Sequence, residues 1–109
     1  MSEYYPNTWV VIKVHVDKSN DPFYKVLAGW SGGYSARHSW RMNSGISSVT
    51  KVKDKWHFHG ESGSVYICKE DNYGFNLSTS SIYTRLKEQF DEGVIAMPED
   101  TDWINLIGK

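Results

Sequence analysis

The stretch TWVVIKVHVDKSNDPFYKVLAGW, residues 8 to 30, decides the fold. In its first part Val10, Ile12, Val14 and Val16 fall on one face of an extended chain, with Lys13 and His15 on the other. DKSNDP, residues 17 to 22, is dense in turn formers. The chain then resumes as FYKVLAGW, with Tyr24, Val26, Ala28 and Trp30 on a single face. Two alternating runs around a polar loop read as an antiparallel hairpin, the start of a β-rich domain.

Downstream the same grammar repeats. SGG, residues 31 to 33, breaks the strand, and HSWRMN and GISSVTKV follow as short strands split by a turn around Asn43, Ser44 and Gly45. KDK, residues 53 to 55, is a charged turn. In WHFHG, Trp56 and Phe58 point one way and His57 and His59 the other. GESGS, residues 60 to 64, turns the chain into VYICK and then EDNYG. Turn signals at roughly 8–12-residue spacing favour an antiparallel sheet or small barrel. SGISSVTKVKDKWHF and SGSVYICKEDNYGF echo one another, as successive hairpins do.

One segment reads as a helix. In STSSIYTRLKEQFDEG, residues 78 to 93, Ile82, Leu86 and Phe90 form a narrow apolar stripe; Ser78, Thr79, Ser80 and Ser81 offer N-caps and Gly93 a stop. VIAMP reads as a short strand, and TDWINLIG as a strand or a helical turn. The expectation is an α+β protein, mostly antiparallel β-sheet or small barrel with one α-helix near the C-terminus, residues 1 to 109 forming a single compact domain.

Composition narrows the function classes. Twelve basic residues against thirteen acidic leave a net charge of −1, which argues against a general binder of duplex DNA and against a nucleic-acid mimic. Aromatic residues make up 15% of the chain, with five Trp and seven Tyr, an excess that suits a binding surface or a small core filled with rings. The single cysteine, Cys68, excludes a disulfide framework and a zinc cluster of several thiolates; within VYICK it reads as a buried small residue. No apolar run approaches the ~20 residues of a membrane span. MSEYYPNTW lacks the profile of a secretory signal, so the expected setting is the cytoplasm, with no membrane partner.

The residues that carry chemistry cluster around WSGGYSARHSWRMNSG, residues 30 to 45. Trp30, Tyr34 and Trp40 suit stacking on a base, and Arg37, His38 and Arg41 suit a phosphate, the arginines bidentately. Asn43, Ser62, Ser64 and Tyr66, with backbone amides of the Gly/Ser turns, would close such a site. The plainer alternative places Trp40 and Met42 in the core with Arg41 in water. His57 and His59, two apart on a strand, are the sharpest metal candidates; a stable site needs further ligands, from His15, His38 or Glu61. They could also serve a phosphoesterase. Hydrolase and phosphate-loop motifs are missing, which lowers an enzyme reading, and no cofactor is implied. Acidic residues collect in EDN, DEG and PEDTDW, the last a candidate partner-facing patch.

The phrasing SWRMNSGI…FHGESGSVYICKEDNYG, within Trp30 to Gly74, resembles short uncharacterised accessory proteins of bacteriophages. The resemblance is one of texture and brings no catalytic residues. It implies an accessory role in the host cytoplasm during infection, either blocking a host protein or binding a nucleotide signal of host defence. The leading expectation is therefore a non-enzymatic protein that sequesters a small phosphorylated, nucleotide-like ligand. An inhibitor that binds a host protein through an aromatic surface is the alternative, and a small nucleic-acid-binding β domain the third. A homodimer would help a chain this short to build a pocket.

Overall fold

A computed structural model describes residues 2–17, 19–30 and 39–107. Its strands are β1 (Glu3–Tyr4), β2 (Thr8–Val14), β3 (Phe23–Trp30), β4 (Ser39–Met42), β5 (Ile46–Val52), β6 (Lys55–Gly60), β7 (Val65–Lys69) and β8 (Val94–Ala96). The helices are α1 (Leu77–Phe90) and the short α2 (Trp103–Ile107). The strands form two four-stranded sheets, ordered β1-β7-β6-β5 and β4-β3-β2-β8. All neighbours are antiparallel except β1 and β7. The α+β, antiparallel architecture is thus present as two stacked sheets.

β2 and β3 form the middle layer. On one face Trp9, Val11, Val26 and Ala28 meet Phe58, Tyr66 and Cys68 of the other sheet. On the opposite face Val10, Ile12 and Leu27 pack with Ile82, Leu86 and Phe90 of α1. The expected helical stripe therefore has its counterpart in the β2 face read from the sequence. Period two alone missed the second buried face, carried by Trp9 and Val11. A continuous run such as TWVVI is the mark of a strand covered on both sides. Val16 is 47% exposed because β2 ends at Val14, before that residue.

α1 begins one residue earlier than the serine-rich start suggested. Asn76 is its N-cap: its Oδ1 accepts from Thr79 N at 2.8 Å, and Thr79 Oγ1 accepts from Asn76 N at 2.8 Å. This is a capping box in which threonine takes the role usually filled by glutamate. The helix stops at Phe90. Asp91, with φ 51°, makes the exit and donates its N–H to Lys87 O, while Gly93 closes the tight turn that follows. The C-terminal element is helical, and Trp103 at its start is fully buried between the sheets, against Trp9 and Phe58.

Candidate functional site

At one edge of the sandwich, four residues from three strands and the short β1 segment meet. Arg41 on β4 lies opposite Ala28 and so faces the other sheet, as does Trp30 on β3. From that other sheet come Tyr4 and Tyr66, paired across β1 and β7. Tyr4 is the hub. Its ring is 4.9 Å from that of Tyr66 and 6.3 Å from that of Trp30, the latter edge-on. The Arg41 guanidinium lies over the same ring, 4.6 Å from its centre. Trp30 is oriented by its indole N–H, which donates to Tyr5 O at 2.9 Å. Burial pushes the Tyr66 hydroxyl above its usual range, and the Arg41 cation works in the opposite direction.

Arg41 is exposed, and among the described residues the one ion pair is Lys51–Glu70, elsewhere in the molecule. Its guanidinium thus lies over an aromatic ring, with no carboxylate partner among those residues. It also hydrogen-bonds the Tyr66 side chain, which fixes its position. A guanidinium carries five N–H donors, so others remain for a planar or tetrahedral anion.

Other residues singled out from the sequence fall elsewhere. Trp40 lies opposite Gly29 and faces the α1 side, away from Arg41; it is 44% exposed. Met42 shares that face and packs with Leu27 and the helix. Asn43 is buried at the corner where the chain passes from one sheet to the other. Its Oδ1 accepts from Val26 N at 2.9 Å, so this side chain ties the corner to β3. Ser62 and Ser64 sit in the β6–β7 turn, which interlocks with the Asn43–Gly45 corner. Ser62 N donates to Ser44 Oγ at 3.1 Å, and Glu61 N to Gly45 O at 2.9 Å. Tyr34, Arg37 and His38 lie outside the described residues, as does most of the first Gly/Ser turn.

His57 and His59 alternate with Trp56 and Phe58 as expected, on the sheet face that carries Val65 and Ile67. Among the described residues no three His, Cys, Asp or Glu side chains come together as a metal site. His15 is engaged in the β2–β3 loop, its Nε2 2.9 Å from Asn20 O. Cys68 is wholly buried, and desolvation raises its thiol far above the ordinary range, which keeps it an inert core residue.

A second feature escaped the sequence reading. A cleft of about 630 Å³ is walled by Trp9, Trp56, Tyr73 and Trp103 and rimmed by Glu70, Asp71, Glu99 and Asp100. Tyr73 is fixed by donating to Met97 O at 2.5 Å and accepting from Val11 N at 3.2 Å. Burial first, and then the charge of Glu99, push its hydroxyl up to about 12, against the Val11 bond. The acidic segments EDN and PEDTDW were visible in the chain. That they share one aromatic cleft depends on β6, α2 and the Asn72–Gly74 turn folding together. Among the described residues no helix is long and apolar enough to cross a membrane. No protein-family model, curated protein or solved structure matches the chain.

Proposed function

We propose that this is a non-enzymatic binding protein whose Tyr4–Trp30–Arg41–Tyr66 edge takes a planar phosphorylated ligand. In the setting suggested by the phage resemblance, the ligand is a nucleotide-like signal sequestered in the host cytoplasm. The observation that carries the reading is Arg41: exposed, 4.6 Å over the Tyr4 ring, hydrogen-bonded to Tyr66, and without a carboxylate among the described residues. A guanidinium fork pairs bidentately with phosphate oxygens, and the neighbouring rings offer flat surface to a base. Trp40 is left out of this site because it faces the other way.

The test is thermal unfolding against mono-, di- and cyclic nucleotides, with inorganic phosphate as control. A ligand at 100 times its dissociation constant stabilises by about 2.7 kcal/mol. The stabilisation is expected to vanish in Arg41→Ala and to fall strongly in Arg41→Lys, which keeps the charge and loses the fork. A flat panel would set this reading aside.

A specific observation favours a second reading, contact with a host protein. Trp40 is 44%, Phe75 40% and Leu77 73% exposed. Phe75 and Leu77 flank Asn76 in the chain, and Asn76 lies over Gly29, the register partner of Trp40. An apolar group of this kind beside a helix start suits a protein surface. Trp40→Ala separates the two readings, since it should abolish capture of a protein partner and leave nucleotide binding intact.

A further inference from the structure

The walls of the acidic cleft, more than its rim, point to a second ligand class. Trp56 and Tyr73 are partly exposed on its aromatic lining, above the buried Trp9 and Trp103, and the faces of such rings attract cations and repel anions. The molecule already uses this chemistry at the margin of the cleft. Lys51, directly opposite Trp56 on the neighbouring strand, holds its ammonium 4.9 Å over the Trp56 ring and 2.8 Å from Glu70 Oε2. One cation is therefore bound by one ring and one carboxylate of the site, with the ligand tethered to the chain. The remaining rim carboxylates, Asp71, Glu99 and Asp100, have no ion-pair partner among the described residues. They are exposed, so each adds charge at little desolvation cost.

We infer that the cleft is a binding site for an organic cation, an alkylated ammonium or guanidinium group, which lies against Trp56 and Tyr73 with the Glu99–Asp100 segment closing over it. A bare metal ion is a poor fit, because oxygen-rich coordination is absent from the aromatic walls and no three metal-ligating residues converge among the described ones. In this arrangement Lys51 is an internal competitor for the ring and carboxylate that an incoming cation would use. The inference is independent of the anion reading at Arg41, which concerns another edge and the opposite charge.

The experiment is a titration followed by the indole N–H resonances of the intact chain, with tetramethylammonium chloride as probe and sodium chloride at equal ionic strength as control. Saturable shifts at Trp56 and Trp103 are expected with tetramethylammonium alone. The double variant Glu99→Gln, Asp100→Asn changes only exposed side chains and should weaken binding about fivefold, in line with the modest strength of exposed cation–π and charge contacts. Lys51→Met removes the competitor while keeping an apolar stem, and should tighten binding several-fold. Tightening for tetramethylammonium with the sodium control unchanged is the outcome that general acidity does not explain, because a variant that merely raises negative charge would affect both cations alike. Shifts of equal size in sodium chloride, or indifference to the variants, would overturn the inference.

Discussion

Asn76 lies so close to Gly29 that a Cβ on residue 29 would fall 2.5 Å from its Nδ2. The same amide donates to Trp30 O at 3.3 Å, while its Oδ1 caps α1 through Thr79 N. One side chain thus starts the helix and docks it on β3. The absence of a side chain at Gly29 is what allows the approach. Gly29→Ala is expected to force Asn76 out of the cap, costing about 1–2 kcal/mol for the lost cap and lowering the melting temperature by roughly 4–8 °C per kcal/mol. Asn76→Ala should cost a similar amount, and the double variant less than the sum, because both act through one contact. Additive losses in thermal unfolding would show that the contact is incidental.

The exit of α1 makes the opposite kind of prediction. Asp91 has φ 51° and ψ −118°, a region that side chains other than glycine rarely occupy, and such strain costs on the order of 1–3 kcal/mol. Its backbone N–H still donates to Lys87 O, so the turn does not depend on the carboxylate. Asp91→Gly should therefore raise stability by about 1 kcal/mol after the added unfolded-state entropy is subtracted. Chemical denaturation reads this directly. An unchanged slope with a higher midpoint is expected, and a lower midpoint would mean that the Asp91 side chain holds the exit itself.

Stability should fall on the alkaline side through three groups that burial raises, Cys68, Tyr66 and Tyr73. Tyr73 titrates near 10 when unfolded and is pushed up to about 12 when folded; the Cys68 thiol is raised in the same direction. Raised folded values mean that the unfolded state releases its protons first. The contribution is fully present below the unfolded pKa and is lost as pH rises toward the folded one. The denaturation midpoint should hold steady below about pH 8 and decline from about pH 9, just above the ordinary thiol value, to about 12, the folded value of Tyr73. Cys68→Ala should delay the onset toward the tyrosine range. Tyr73→Phe should flatten the later part, at the expense of the Val11 and Met97 bonds.

Much of this fold was legible because its signals are local. Alternation in β2 and β3, the turn between them, and the Ile82–Leu86–Phe90 stripe each lie within one segment. The capping pair Asn76–Thr79 was also readable, but the serines that follow Leu77 drew attention from it. The opposition of Trp40 and Arg41 is implicit in any strand reading of HSWRMN, since neighbouring residues on a strand face opposite ways. Which face each would take depended on the sheet packing. Tyr4 had no signal at all, because its strand is two residues long and pairs with a segment sixty residues away in the chain. The aromatic cleft is nonlocal in the same sense, assembled from β2, β6, the segment after β7 and the start of α2.

Asn43 allows framework and ligand contact to be separated. It is 4% exposed, and its Oδ1 satisfies the backbone N–H of Val26 in the middle layer of the fold. Truncation leaves that buried donor without its acceptor, a loss of about 1–3 kcal/mol. Asn43→Ala should therefore lower the unfolding midpoint and speed amide exchange at Val26 and around the β4–β5 corner. Arg41, by contrast, is exposed and on the far side of Met42, so Arg41→Ala should leave the midpoint nearly unchanged in the absence of ligand. The two variants then fall on different axes: Asn43→Ala shifts stability and leaves the intrinsic affinity for a nucleotide, measured well below its midpoint, unaltered; Arg41→Ala does the reverse. If Asn43→Ala weakened binding at a temperature where it is fully folded, the corner would have to be counted as part of the site.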